Sequence, residues 1–262
     1  MKNTFKNWFA ALLLAAPMSM AVAAGGHANY EKVDIDLGDQ VSLQRGAQIF
    51  TNYCLSCHSA TGMRFNRLQD IGLTEDEIKK NLMFTTDKVG DVMQAAMTPT
   101  EGKKWFGAAP PDLTLIARSR GADYLYAYLR GFYQDPTRPT GWNNTVFDKV
   151  GMPHPLWEQQ GVKAVELDKD GQPVWEKDEH GNLVPKLYWE STGLHSRRLP
   201  NGKVIEKEYD DYVRDLVNYM VYMGEPAQMQ RKQIGYIVLI FLLAVMLPLA
   251  YFLKKEYWKD VH

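Results

Sequence analysis

The stretch Cys54-Leu55-Ser56-Cys57-His58 constrains this chain more than any other. Two cysteines separated by two residues and followed at once by histidine form the attachment pattern of a c-type haem. The spacing has a chemical reason. Each thiol adds across one vinyl group of a porphyrin to give a thioether, and a two-residue gap lets one turn of helix reach both vinyls. The next residue then swings its imidazole under the iron as the proximal ligand. A redox disulfide at this spacing is sought near a βαβ pattern in a cytosolic protein. Structural zinc needs four ligands, and with two cysteines in the chain no second Cys or His pair at zinc-like spacing is found.

The two ends of the chain set its place in a cell. Residues 1–24 read as a cleaved secretory leader: Lys2 and Lys6 give a positive start, Phe9 to Ala16 a short apolar run, and Ala21-Val22-Ala23 a small-residue cleavage pattern. Pro17 interrupts the run, which argues against an uncleaved anchor. Export suits the haem pattern, because c-type haem is attached outside the cytoplasmic membrane in bacteria, and both cysteines are then used by it. At the other end, Gln233 to Leu253 carries no charge. At about 1.5 Å per residue, roughly twenty residues cross a hydrocarbon core of about 30 Å. Arg231 and Lys232 flank one side, and Lys254, Lys255 and Lys259 the other, with Tyr257 and Trp258 as interfacial aromatics. Pro248 lies inside the span, where membrane helices tolerate it. The competing reading is a buried core helix. Residues 25–226 are therefore expected to form an exported domain, and 227–262 a single membrane anchor with a basic cytoplasmic tail. A net charge of −1 makes no case for a nucleic-acid partner.

Within the exported part, residues 42–53 place Leu43, Ala47, Ile49 and Phe50 on one side, as a helix delivering the chain to Cys54 would. Gly46 marks either a close helix crossing or a tolerated helical glycine. Thr74 and Glu77 form a capping-box pair for a helix over 74–82. Pro110 and Pro111 force an extended segment, with Asp112 placed to cap a helix after it. Residues 122–133 read as a tyrosine-rich helix. The turn-rich segment 134–161 carries Trp142, Val146, Phe147, Met152, Leu156 and Trp157, and long loops of that content wrap something. Residues 162–206 alternate short β-type runs with turns, Asn201-Gly202 being the strongest hairpin signal. In 209–223, Val213, Leu216, Val217 and Met220 share a stripe, and Asp210 and Asp211 sit in the first turn. Gly224-Glu225-Pro226 ends that helix.

An axial thioether stabilises ferrous iron and so raises the reduction potential. Outside leader and span the candidates are Met63, Met83, Met93, Met97, Met152, Met220, Met223 and Met229. Met152 stands out because Gly151 and Pro153 hold it in non-helical backbone; Met97 is the runner-up, and His154 would give a bis-histidine centre instead. Any one methionine is more often a gap-filling core residue. Glu166, Asp168, Asp170, Glu176, Asp178 and Glu179 form an acidic stretch that would steer a basic partner. The plainer reading, a solvated loop face with Lys169 and Lys177 interleaved, is preferred.

Taken together, the leader, CxxCH, the Pro-Pro-Asp-Leu run 110–113, the ArgSerArgGlyAlaAspTyr run 118–124, Gly151-Met152-Pro153, and Glu225-Pro226 ahead of an anchor with Leu-Pro-Leu make the chain resemble the cytochrome c1 family. That family is the c-type haem subunit of the cytochrome bc1 complex, or quinol–cytochrome c reductase, and the resemblance covers the mature chain. It implies a mainly α fold: a cytochrome c-like helical haem domain with long loops, a small antiparallel β excursion at 162–206, and one C-terminal transmembrane helix. It implies one haem c, covalent through Cys54 and Cys57, with His58 and Met152 on the iron. Pro110 and Pro111 would pack on the haem, and Arg120 and Tyr124 would bind propionate, a fork and a hydroxyl donor suited to a carboxylate. The chain would then be no enzyme on its own but a redox subunit in the bacterial inner membrane, with its haem domain in the periplasm. Implied partners are cytochrome b, the Rieske iron–sulfur protein and a c-type cytochrome acceptor, in a dimeric complex. The 162–206 excursion is longer than the mitochondrial pattern. A free-standing anchored cytochrome c feeding a terminal oxidase is the alternative, and a haem enzyme or gas sensor with an open iron site is the more distant one.

Overall fold

The computed structural model describes residues 29–259, so the expected leader, residues 1–24, lies outside it. Helix α1 (Gln40–Ile49) starts where the Asp39 carboxylate accepts the backbone N–H of Ser42, a side-chain cap for one of the free first-turn donors. Its Leu43, Ala47 and Ile49 are buried, as is Phe50 just beyond. The helix then widens into a π turn, Phe50–Cys54, with Leu55 N–H bonding the Phe50 carbonyl at 3.0 Å. Strand β1 (Ala60–Arg64) and a 3₁₀ stretch, Phe65–Ile71, lead to α2 (Glu75–Asn81), whose Thr74–Glu77 capping box forms as its sequence foretells. After β2 (Val92–Met93), α3 (Pro99–Phe106) repeats the device with Thr98 and Glu101 and stops at Gly107, φ 82°.

Helix α4 (Ile116–Arg120) and α5 (Ala122–Arg130) follow, and β3 (Phe132–Gln134) takes the residues expected to extend α5. Gly131 breaks the helix there. Next come β4 (Trp142–Asn144), α6 (Trp157–Gln160), β5 (Gly161–Val165), β6 (Trp175–Lys177), β7 (Leu183–Pro185), β8 (Leu187–Thr192), β9 (Arg197–Arg198) and β10 (Val204–Ile205). Helix α7 (Lys207–Gly224) closes the body, beginning two residues ahead of its expected start and ending before Glu225.

The core is centred on the crossing of α1 with α7. Gly46 is the point of closest approach: a Cβ there would fall well inside contact distance of the Asp215 carbonyl oxygen and 2.6 Å from the Tyr219 Cβ. The same crossing buries a polar network. Asp215, 4 % exposed, accepts from Ser42 Oγ at 2.7 Å and from Arg45 Nε at 2.5 Å, and Asn218 donates to Ser42 Oγ at 3.0 Å. A buried carboxylate left without these partners would cost several kcal/mol, on the order of 3–5. Val213, Leu216, Val217 and Met220 are all buried, so the stripe on α7 faces the core. Tyr209 ties α7 to α5 by donating to the Leu129 carbonyl at 2.9 Å.

The β-rich segment 162–206 is not a free-standing excursion. Its β5 pairs in parallel with β3 through Gln134 and Ala164, giving a four-stranded sheet in the order β4-β3-β5-β8. The antiparallel expectation holds for β5–β8, for β6–β7 and for β9–β10, whose turn carries Gly202 at φ 84°. The parallel link arises because the segment 135–160 returns to bring β5 beside β3, which only the tertiary fold can dictate.

Past Glu225 the chain runs as a 30-residue apolar helix, Gln228–Tyr257, none of it buried. It consists of α8 (Gln228–Phe241), a π turn over Leu242–Met246, and α9 (Leu247–Tyr257). Pro248, which has no N–H to give, sits in the first turn of α9. The wider turn just before it, closed by Leu247 N–H on the Leu242 carbonyl, takes up the break in the ladder. The helix has the length and composition to cross a membrane.

Candidate functional site

The turn after the π segment brings Cys54, Cys57 and His58 to one cavity. The N–H groups of Cys57 and His58 both bond the Cys54 carbonyl, at 3.1 and 2.8 Å. Leu55 turns away into the core, while both thiols stay free. Burial, followed by the neighbouring Cys57, pushes the Cys54 thiol up to about 12, so it stays protonated in this apolar wall.

The segment 110–114 is clamped against this turn. Leu113 N–H bonds the Ser59 carbonyl at 2.8 Å, Thr61 donates twice to Asp112 Oδ2 at 2.8 and 2.9 Å, and Gly62 N–H bonds Thr114 Oγ1 at 3.0 Å. Asp112 does not cap a helix, as its local sequence suggests. It turns its own segment and grips Thr61, with Leu115 preceding α4. Burial raises its carboxyl, but the Thr114 and Thr61 hydrogen bonds outweigh that and hold it below the usual range.

The clamp fixes His58. Its Nδ1 lies 2.8 Å from the Pro111 carbonyl oxygen. A carbonyl only accepts, so Nδ1 carries the proton and Nε2 keeps its lone pair for another partner. Burial holds the imidazole below its ordinary basicity, although the Pro111 bond and Asp112 oppose it. The ring is therefore neutral near pH 7, as a metal-binding imidazole must be.

The cavity has a volume of about 440 Å³, within the usual range of roughly 300–1,000 Å³ for cofactor sites. Its lining takes in Cys54, Cys57 and His58, Pro110 and Pro111, Arg120 and Tyr124 from α4 and α5, and Met152 from the long loop. The structure thus brings together all eight residues singled out in the sequence. Arg120 is the one permanent charge among the described lining residues, and its guanidinium lies over the Tyr124 ring at 5.8 Å. Met220 also reaches the cavity, from the buried face of α7. Met97 does not line it; its sulfur packs beside Gly102 on α3.

His154 is out of the running as a ligand. Its Nε2 meets Gln160 Oε1 at 2.9 Å, its Nδ1 accepts from Leu156 N–H at 3.4 Å, and its ring stacks on Phe132 at 4.7 Å. Burial drives its basicity down to about 3.

The loop that carries Met152 is built on side chains that carry no motif in the sequence. Buried Asn143 donates to Asp135 and Asp148 at 3.0 Å and accepts the N–H of Lys149, which is held at φ 60°. Asn144 accepts from Val146 and donates to the Tyr128 carbonyl, each at 2.8 Å. Gly151 packs on the Phe106 carbonyl, which a Cβ would approach to 3.0 Å. The adjacent pair Asn143-Asn144, set between the large apolar Trp142 and Val146-Phe147, is the signal that points to them, since buried amides that answer several backbone groups shape loops.

The Cytochrome C1 family profile matches residues 34–206 and 201–261 of this sequence. The chain belongs to the cytochrome c1 family. A cytochrome c1 from Allochromatium vinosum is 45% identical over 254 residues, covering 97% of this chain and 98% of its own. A Nitrosomonas europaea protein named ammonia monooxygenase gamma subunit is 48% identical over 250 residues, covering 95% of this chain and 96% of its own. Among solved structures, a chain of a hyperthermophilic respiratory Complex III aligns with a TM-score of 0.43 at 14% identity, covering 99% of this chain and 100% of its own.

Membership of the cytochrome c1 family implies a covalently bound c-type haem, and the residues present suit one. Two free thiols at the required spacing, a neutral imidazole whose Nε2 has no partner among the described residues, an apolar wall and the Arg120 guanidinium share one cavity. Within the acidic stretch of 162–206, Asp168 and Asp178 each accept turn N–H groups, and Glu166 pairs with Lys186 at 2.8 Å.

Proposed function

We propose that this chain is the electron-transfer subunit of a quinol–cytochrome c oxidoreductase. It takes electrons from a Rieske iron–sulfur protein and passes them to a c-type cytochrome. The bound haem supplies a one-electron ferric/ferrous couple whose potential a methionine ligand raises. The rest is the work of the chain's own residues. Cys54 and Cys57 give the two thioether links, one haem in all. His58 offers Nε2, oriented because Nδ1 donates to the Pro111 carbonyl. Met152, which lines the same cavity, would supply the second protein ligand to the iron and leave no open site for a substrate, so the chain would make or break no substrate bonds on its own. Pro110 and Pro111 wall the cavity against water, which favours the less charged state. Arg120 and Tyr124 answer the propionates.

The observation that carries this reading is the sharing of one cavity by Cys54, Cys57, His58 and Met152, with the Pro111 carbonyl already fixing the imidazole tautomer. The apolar helix Gln228–Tyr257 supports a single membrane anchor. We place the leader 1–24 as removed, the haem domain 25–226 in the periplasm, and 227–262 as anchor and cytoplasmic tail, the basic Lys254, Lys255 and Lys259 facing inward. Cytochrome b and the Rieske protein are the expected neighbours in a dimeric complex of the bacterial inner membrane.

The test is purification through a C-terminal tag in mild detergent, followed by a reduced-minus-oxidised spectrum and EPR. Co-elution of b-type haem and an iron–sulfur signal with the c-type band is expected. A c-type band alone under all gentle conditions would overturn the assignment in favour of a free-standing anchored cytochrome. Met152→Leu should abolish the ferric sulfur-to-iron charge-transfer band while Met220→Leu retains it.

A further inference from the structure

One polar contact in the cavity is aimed at the sulfur of Met152. The Tyr128 hydroxyl donates to Met152 Sδ at 3.6 Å, and among the described residues that hydroxyl has no other hydrogen-bond partner. The ring that carries it is fixed on several sides. It stacks on Tyr124 at 5.9 Å with planes 17° apart, and meets Phe132 edge-on at 5.2 Å. The backbone of Tyr128 is pinned by Asn144 Nδ2 on its carbonyl at 2.8 Å. The loop that carries the sulfur is held through Gly151 against the Phe106 carbonyl and His154 on Gln160. Donor and acceptor are also tied to each other through shared neighbours, since Asn144 bonds the Tyr128 carbonyl while shaping the Met152 loop, and Phe132 meets the rings of both Tyr128 and His154.

We propose that Tyr128 is a positioning residue that orients the Met152 sulfur and raises the reduction potential of the centre. The inference rests on Met152 being the axial ligand. A thioether sulfur has two lone pairs, so one can face a metal while the other accepts the phenol proton. That hydrogen bond draws electron density from the sulfur and weakens its donation. Ferric iron needs the donation more than ferrous iron does, so the balance moves toward the reduced form. Hydrogen bonding to a ligand from the surrounding shell is one of the protein's levers on such a potential.

Tyr128→Phe removes the hydroxyl and keeps the ring, so packing against Tyr124 and Phe132 persists. The experiment is a potentiometric titration of the full haem-bearing chain in mild detergent, read together with the ferric sulfur-to-iron charge-transfer band. The Phe variant should keep covalent haem and the band, while its ferrous-to-ferric ratio at a fixed ambient potential falls about two- to tenfold. That is a drop of about 18–59 mV at ~59 mV per tenfold for one electron. Tyr128→Leu, which also lacks the hydroxyl and keeps a smaller apolar side chain there, should move the potential the same way and serves if the Phe variant does not mature. An unchanged or raised potential in a matured variant, with the band present in the unsubstituted protein, overturns the role of Tyr128 and leaves Met152 ligation standing. Absence of the band from the unsubstituted protein overturns the ligation itself, and the role of Tyr128 with it.

Discussion

Replacing Gly46 with alanine sets two effects of opposite sign against each other. Alanine is the better helix former, by about 0.8–1.0 kcal/mol in a helix interior. Against this, the new Cβ would overlap the Asp215 carbonyl and lie 2.6 Å from the Tyr219 Cβ. The carbonyl belongs to the α7 backbone and cannot rotate away, so the two helices must part by roughly 1 Å. Overpacking of this kind costs about 1–3 kcal/mol, occasionally more. A gap of ~0.5–1 Å also forfeits a quarter to a half of each contact's attraction along the seam of Leu43, Ala47, Phe50, Leu216 and Met220. The expected gross cost is then about 3–4 kcal/mol and the net loss about 2–3. At roughly 2–4 °C per kcal/mol for a domain of this size, Tm should fall by about 4–12 °C. Thermal unfolding followed by circular dichroism of the haem-bearing chain reads it directly. Gly90→Ala is the control, since a Cβ there meets nothing within 4 Å, and it should change Tm little. A Gly46→Ala protein as stable as the parent would refute the close-crossing argument. Because α1 runs straight into Cys54, a smaller change in reduction potential should accompany the loss.

The same geometry yields other expected outcomes. His154→Phe keeps the stack on Phe132 but leaves Gln160 Oε1, in a fully buried side chain, without its donor. Urea unfolding should show a loss of about 1–3 kcal/mol. Asp112 has a folded-state carboxyl held below its ordinary value of 3.8, so its contribution is present above that pH and lost as pH falls through the lower folded value. Asp112→Asn should therefore flatten the acid limb of the stability profile below about pH 4 and leave a constant offset above it. Ending the chain at Ala227 removes the whole apolar helix and should release the haem domain into the soluble fraction after cell lysis, which fractionation with haem staining checks.

Much of this architecture is legible in the chain because its signals are local. The cysteines and histidine of 54–58 lie within one turn, so their spacing alone decides that they reach the same wall. Thr74 with Glu77 specifies a helix start by a hydrogen-bond exchange over three residues, and the uncharged run from Gln233 declares itself by length. The stripe on α7 comes from a 3.6-residue period. None of these needs a distant partner to be read.

The features that the sequence leaves open turn on contacts between residues far apart in the chain, and only the folded protein decides those. Whether Gly46 is a crossing depends on Asp215, and whether Met152, Met97 or His154 faces the cavity depends on Asn143, Gln160 and the end of α3. The union of β3 with β5 requires the intervening loop to close back on itself, and no propensity within either strand encodes that. Asp112 shows the same limit: its local context favours a helix cap, yet Thr61, far away in sequence, offers two donors and wins. Local patterns set which groups are available. The packing of α1 against α7, and of the loop against α3, sets which of them meet.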